Sequence, residues 1–455
     1  MKRSILCLFF ISFFSFAQIS LPDIYGDHMV LQQKTSIKIW GWGTPLEKVK
    51  LQTSWDQKIY ETETNNLANW QIEIQTPPAG GPFQIKLKGY NEILLDDILI
   101  GEVWLASGQS NMEWSANSGI DEAAKHIEEA RNEEVRFFEV IKRSSENEQD
   151  NLTGKWQVCT PETMQNFSAI AYFFGDKLQK ELKAPIGLIQ SAWGGTPAEA
   201  WMSEKAFELD AELSDIAKML PDQPWGPQKP HLIYKAMIAP IIDFNIAGVI
   251  WYQGESNTSN AEHYERVFSA LIKDWRDKWQ KDFPFYYVQI APYDYGEGEN
   301  GVVVRNEQRK VSVNMANTAM VVVSDIGNIK DIHPKNKKDV GLRLADQALV
   351  KHYQLMNKTV DGPVLEKIEK EKNRIVLTFK NAVGLKFTNK EDQFEVANKE
   401  GTFRKVKATM KGETIHLNTK GIEDPQKIRF AWGNIVLSNL TNETGLPASS
   451  FEVDL

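Results

Sequence analysis

The alternation of apolar and polar positions changes rhythm twice along this chain. From about residue 18 to 97 it is short and regular, as in Ser36-Ile37-Lys38-Ile39-Trp40, Val49-Lys50-Leu51-Gln52-Thr53 and Phe83-Gln84-Ile85-Lys86-Leu87. Turn-forming stretches separate these runs, among them Gly41-Trp42-Gly43-Thr44-Pro45 and Pro77-Pro78-Ala79-Gly80-Gly81-Pro82. A period of two puts one side of each strand on a core and the other in water, which predicts a small antiparallel β domain over 18–97. From about 98 to 353 the apolar runs become continuous, at 98–106, 186–192, 246–252, 285–291 and 319–324. Helical periodicity lies between them, most clearly over 169–182, 261–279 and 337–353. Strands that are apolar throughout need cover on both faces, so this stretch predicts a doubly wound parallel sheet in an α/β domain. From about 354 to 455 short strands return, at 374–379, 414–417 and 427–432, giving a second β region.

The first seventeen residues stand outside this plan. Met1-Lys2-Arg3-Ser4 precedes an apolar stretch from 5 to 16, and Ser15-Phe16-Ala17 closes it with small residues at the first and third places. This is the pattern of a cleaved signal peptide at 1–17, and the stretch is too short to span a bilayer. The mature chain is therefore expected in the periplasm or outside the cell, with no membrane span. Cys7 leaves with the leader, so Cys159 alone remains and no disulfide within the mature chain is expected. The formal charge of −9 becomes more negative without Lys2 and Arg3. That balance argues against nucleic acid as a partner and mainly favours solubility. The chain has neither a His-Glu-x-x-His nor a Cys pair, so no metal and no other cofactor is expected.

Chemistry gathers at the carboxyl ends of the apolar runs, where open α/β sheets bind their ligands. The first run ends in Gly108-Gln109-Ser110-Asn111-Met112, which delivers a serine to a strand tip. The second ends in Trp193-Gly194-Gly195-Thr196-Pro197, whose glycines let backbone N–H groups approach a ligand closely. The third ends in Trp251-Tyr252-Gln253-Gly254-Glu255-Ser256-Asn257, with a carboxamide able to donate to an oxyanion. The last runs into Asp331-Ile332-His333-Pro334. Of seven histidines, His28 and His416 fall in β regions. His126, His263 and His352 fall in charged helical segments and read as solvated faces, and His231 is the one rival to His333.

Together these tips describe an acyl-transfer site. Ser110 would be the nucleophile, His333 its general base, and an acid would orient the imidazole. The N–H groups of Ser110 and of Gly194 or Gly195, with the Gln253 amide, would hold the oxyanion. Gln109, Asn111, Glu255 and Trp193 are candidates for substrate contact. No Gly-x-Ser-x-Gly elbow occurs, so the α/β-hydrolase fold is not indicated.

These four motifs, in this order, resemble the sialate O-acetylesterases, which belong to the wider Ser-Gly-Asn-His (GDSL-like) hydrolases. Asp27-His28-Met29-Val30-Leu31-Gln32 and Gly445-Leu446-Pro447-Ala448-Ser449 extend the likeness to both β regions. The resemblance implies Ser110 as nucleophile, His333 as base and an O-acetylated carbohydrate as substrate, with sialic acid, xylan and other acetylated glycans all represented among relatives. It also implies Gln253 where many relatives carry Asn. The superfamily's acid stands three residues before the histidine, where this chain has Lys330. Asp331 is the expected acid here, with Asp325, Glu255, a backbone carbonyl or a Ser-His dyad without an acid as alternatives. Two rival functions are a glycoside hydrolase, using carboxylates such as Glu199, Glu255 and Asp331, and a glycan-binding protein with a dead hydrolase core. The first would need two carboxylates facing each other across a sugar. Intact Ser110 and His333 argue against the second. The oligomeric state is not legible in the sequence.

Overall fold

The computed structural model describes residues 18–455, so the expected signal segment lies outside the described residues. Its organising element is the seventeen-residue strand Glu92–Gly108. The amino-terminal half of this strand pairs antiparallel with Gly80–Lys88 and parallel with Val30–Gln32. The carboxyl-terminal half pairs parallel with Ile186–Ala192 on one side and Gly248–Tyr252 on the other. The boundary expected at 97/98 therefore falls inside one continuous strand, which carries both patterns in turn: exposed alternation to Leu95, then unbroken burial from Ile98.

Beyond these neighbours the sheet runs through Phe285–Val288 to Thr318–Val321 on one side and Asn132–Glu139 to Trp156–Cys159 on the other. All of these pairs are parallel except the last. The result is a large mixed sheet of eleven strands. Alternate residues of the central strand serve two separate cores. Val103 and Leu105 join one apolar cluster, and Trp104 and Ala106 join the other. That double burial explains the continuous apolar runs. Helices Ala169–Leu182 and Lys337–Gln347 cover one face, and Tyr264–Trp279 covers the other.

The β strands Asn132–Glu139 and Trp156–Cys159 and the helix Asn300–Asn314 were not among the expected elements. Cys159 is buried at the end of its strand, and burial pushes its thiol up to about 12, leaving it chemically quiet. His126 corrects the expectation of a solvated face. It is buried edge-on against Phe173, with ring centroids 4.9 Å apart. The carboxyl-terminal region forms its own apolar cluster and two four-stranded sheets. It docks on the Asn300–Asn314 helix through the Asn434 side chain, which accepts from Gly301 N–H at 2.9 Å. Among the described residues no helix is long and apolar enough to cross a membrane.

The chain fills one side of the sheet and then the other, and the central strand marks the crossing point. Loops leaving its carboxyl end diverge there and open a crevice. Ser110 follows directly.

Candidate active site

Gly108 ends the central strand at φ +132°, and a Cβ there would lie 2.2 Å from the Tyr252 carbonyl oxygen. Only glycine fits. Gln109 N–H then donates to that carbonyl, at 2.9 Å, and its side-chain oxygen accepts from Ser256 N–H at 3.2 Å. This lock turns the chain into the short helix Ser110–Glu113 and presents the Ser110 hydroxyl at the crevice. His333 comes from the irregular segment between the edge strand Thr318–Val321 and the helix Lys337–Gln347. Its Nε2 lies 2.8 Å from Ser110 Oγ. Trp114 stacks on the imidazole at 4.2 Å and 17°, fixing the ring plane. The rival His231 instead places Nδ1 3.1 Å from the Met202 carbonyl.

The acid is where expectation and structure part. Asp331 Oδ1 accepts the backbone N–H of His333 at 2.9 Å, so this carboxylate shapes the loop rather than gripping the ring. Among the described residues no carboxylate forms an ion pair with His333. Asp325 is engaged by Arg343, at 2.8 Å from Nη1. Glu255 accepts from Asn111 Nδ2 at 2.6 Å. What the structure brings together is the Ser110–His333 pair.

Asn111, expected to meet substrate, is fully buried and acts as a clamp. Its Nδ2 also donates to the carbonyl of Ile332 at 3.0 Å, and its Oδ1 accepts from Lys337 Nζ at 2.5 Å. It thus pins the residue before His333 and bridges two buried ionisable groups. Burial raises Glu255 to about 7 and lowers Lys337 to about 7. Burial also lowers His333, Lys337 lowers it further, and Asp331 and Glu113 partly oppose this. A lowered value favours the neutral imidazole, the form that can accept a proton.

Gln253, expected in the oxyanion hole, points into the scaffold. It is fully buried, and its Nε2 donates to Asn257 Oδ1 at 2.7 Å and to Thr196 O at 3.2 Å. Both amide hydrogens are committed away from Ser110. Glu199 lies in the same buried network, each oxygen 2.8 Å from an amide of Asn257 or Asn260, so it faces no sugar. The Gly194 N–H donates to Glu113 Oε2 at 2.8 Å, and Lys142 holds that carboxylate from the other side. Gly195, at φ +74°, keeps its N–H without an acceptor among the described residues, as does Ser110. These two are the donors left open.

Around the dyad lies a cleft of about 600 Å³, whose lining includes Gln109, Trp193, Trp225, Gln228, Glu255 and Lys142. A side chain at Gly195 would collide with the Trp225 indole, its Cβ 2.0 Å from the ring.

Residues 100–350 match the model of a carbohydrate esterase family, the sialic acid-specific acetylesterases. The chain is 31% identical over 379 residues to the sialate O-acetylesterase of Homo sapiens, covering 75% of this chain and 72% of that protein. It is 32% identical over 410 residues to the sialate O-acetylesterase of Mus musculus, covering 75% of each. The chain belongs to the sialic acid-specific acetylesterase family. Its fold also matches the crystal structure of a carbohydrate acetylesterase from Xanthomonas citri, with a TM-score of 0.87, 31% identity, and 96% and 99% of the two chains covered. As a member of this esterase family the protein acts on an acetylated carbohydrate. The matched stretch contains Ser110, His333 and every cleft residue named above.

Sequence reasoning passed over Glu113 and Trp114, although both follow the serine motif within one helical turn and so had to lie beside it. Lys337 and Trp225 carried no such signal. One sits at the first position of a helix and the other in a Pro-rich loop, and only the tertiary fold brings them to Ser110.

Proposed function

We propose that the protein is an exported serine esterase that removes O-acetyl groups from sialic acid, using Ser110 and His333 on a doubly wound sheet of the Ser-Gly-Asn-His type. The observation that carries the chemistry is the 2.8 Å contact between His333 Nε2 and Ser110 Oγ at the floor of the cleft. The largely parallel central sheet, buried on both faces, supports the sheet assignment, and the basic, apolar leader supports export to the periplasm or beyond.

His333 takes the serine proton as Oγ attacks the acetyl carbonyl. The N–H groups of Ser110 and Gly195 receive the developing oxyanion. The tetrahedral intermediate collapses, His333 returns the proton to the departing sugar oxygen, and an acetyl-serine remains. Water, activated by the same imidazole, releases acetate.

Acetate release across O-acetylated sialic acid, acetylated xylan and acetylated pectin tests the reading. The sialic acid should have the highest kcat/KM. Preference for acetylated xylan would replace it with a plant-glycan acetylesterase. No release from any of the three, with no cleavage of a small chromogenic acetate ester, would leave a glycan-binding protein.

A further inference from the structure

The protein has fourteen tryptophans, and the use of each indole N–H divides them. Nine donate to a protein oxygen. Trp251 keeps its N–H buried in the core. The remaining four, Trp40, Trp42, Trp193 and Trp225, are all partly or fully exposed, and no described residue accepts from them. They fall into two pairs. Trp193 and Trp225 line the catalytic cleft. Trp40 and Trp42 line a second cleft of about 550 Å³, formed where the amino-terminal β region meets the α/β domain.

We propose that this second cleft binds neutral sugars of the glycan that carries the acetyl group. The inference rests on a carbohydrate substrate for the catalytic site. Trp40 and Trp42 are two apart on the strand Ser36–Trp42, so both rings project from one face, about 7 Å apart along it. Tyr25 braces Trp40 edge-on, with centroids 4.8 Å apart, so that ring is held before any ligand arrives. The paired strand sets Gln71 opposite Trp40 and Asn69 opposite Trp42, both exposed. Flat rings beside free amides suit the mixed apolar and hydroxyl surface of a pyranose.

Charge narrows the ligand further. Glu63, Glu148 and Asp150 also line the cleft, are exposed, and have no cation within 4.0 Å among the described residues. A carboxylated sugar meets repulsion there, and a neutral one does not. The second cleft also has a lining residue close in the chain to one of the first. Lys142 lines the catalytic cleft and Glu148 the second, and the six intervening steps of chain reach at most about 20 Å. A glycan long enough to span that distance would reach both, and binding at one cleft would then raise its effective concentration at the other.

Affinity electrophoresis of the Ser110→Ala protein through deacetylated xylan, galactan and polygalacturonate tests the proposal. At least one neutral polymer should retard migration, and polygalacturonate should not. Trp42→Ala and, separately, Gln71→Ala in the same background should weaken that retardation at least fivefold, with thermal unfolding confirming that each variant is folded. The proposal is overturned if neither neutral polymer is bound, if polygalacturonate binds as tightly, or if both folded variants bind like their parent. Acetate release by the unmodified enzyme is scored apart. Release without neutral-polymer binding removes the second site alone, and binding without release from any acetylated glycan removes the esterase reading.

Discussion

Two neighbouring strands end side by side in this sheet, and their tips have opposite fates. Gly108 and Tyr252 are register partners, each followed by a glutamine. After Gly108 the chain turns into a short helix and lifts Ser110 to the cleft. After Tyr252 it turns through Gly254, at φ +152°, and Gln253 faces inward to Asn257, Thr196 and Tyr264. Position at a strand tip brings a residue near the chemistry, but the turn that follows decides whether it faces substrate or scaffold. In the proposed mechanism the first tip supplies the nucleophile, and the second supplies the floor under it.

Substitutions on the two tips should separate these roles. Ser110→Ala removes the proposed nucleophile and should lower acetate release by at least 10³-fold without changing thermal stability; a tenth of the wild-type rate would end the assignment. Gln253→Ala should act first on stability. It removes from the core the donor to Asn257 Oδ1 and Thr196 O and should cost about 1–3 kcal/mol in chemical denaturation. A loss of 10²-fold in kcat with unchanged stability would instead restore Gln253 to the oxyanion hole.

Smaller effects belong to the histidine loop. Asp331→Asn keeps an oxygen for the His333 N–H and should cost less than tenfold in kcat/KM; a loss of several orders of magnitude would make Asp331 the orienting acid. The pH profile sharpens the same point. Because His333 must be neutral to act and its pKa is lowered, kcat/KM should rise with pH through a midpoint below the ordinary histidine value of about 6.5. Lys337→Met removes a charge that disfavours imidazolium, so the midpoint should move up. Asp331→Asn removes one that favours it, so the midpoint should move down. A midpoint unmoved by either would show that these charges do not reach the ring.

The sequence carried the layout further than the contacts. The helix expected at 169–182 and the strand at 186–192 match the observed Ala169–Leu182 and Ile186–Ala192, because burial on both faces leaves an unmistakable apolar run. The strand Asn132–Glu139 escaped notice because its outer half is charged and exposed. The 97/98 boundary falls inside one strand because its first half alternates and its second half is buried on both faces, which alternation alone reads as two elements. At the site, Ser110 and His333 were legible from order along the chain. The direction of a side chain was not. Asn111, Gln253 and Asp331 have the right chemistry for substrate, oxyanion and imidazole, yet each bonds to the backbone or the core. Their partners, Ile332 O, Thr196 O and His333 N–H, are main-chain atoms that no motif displays.

The central claim is that Ser110 is activated by His333 alone. Reaction with a fluorophosphonate, read by peptide mass spectrometry, tests it directly. Wild-type protein and Asp331→Asn should both carry a single adduct on Ser110 at comparable rates, and His333→Ala should carry essentially none. An adduct on another residue, or rapid labelling of Ser110 in His333→Ala, would contradict the account.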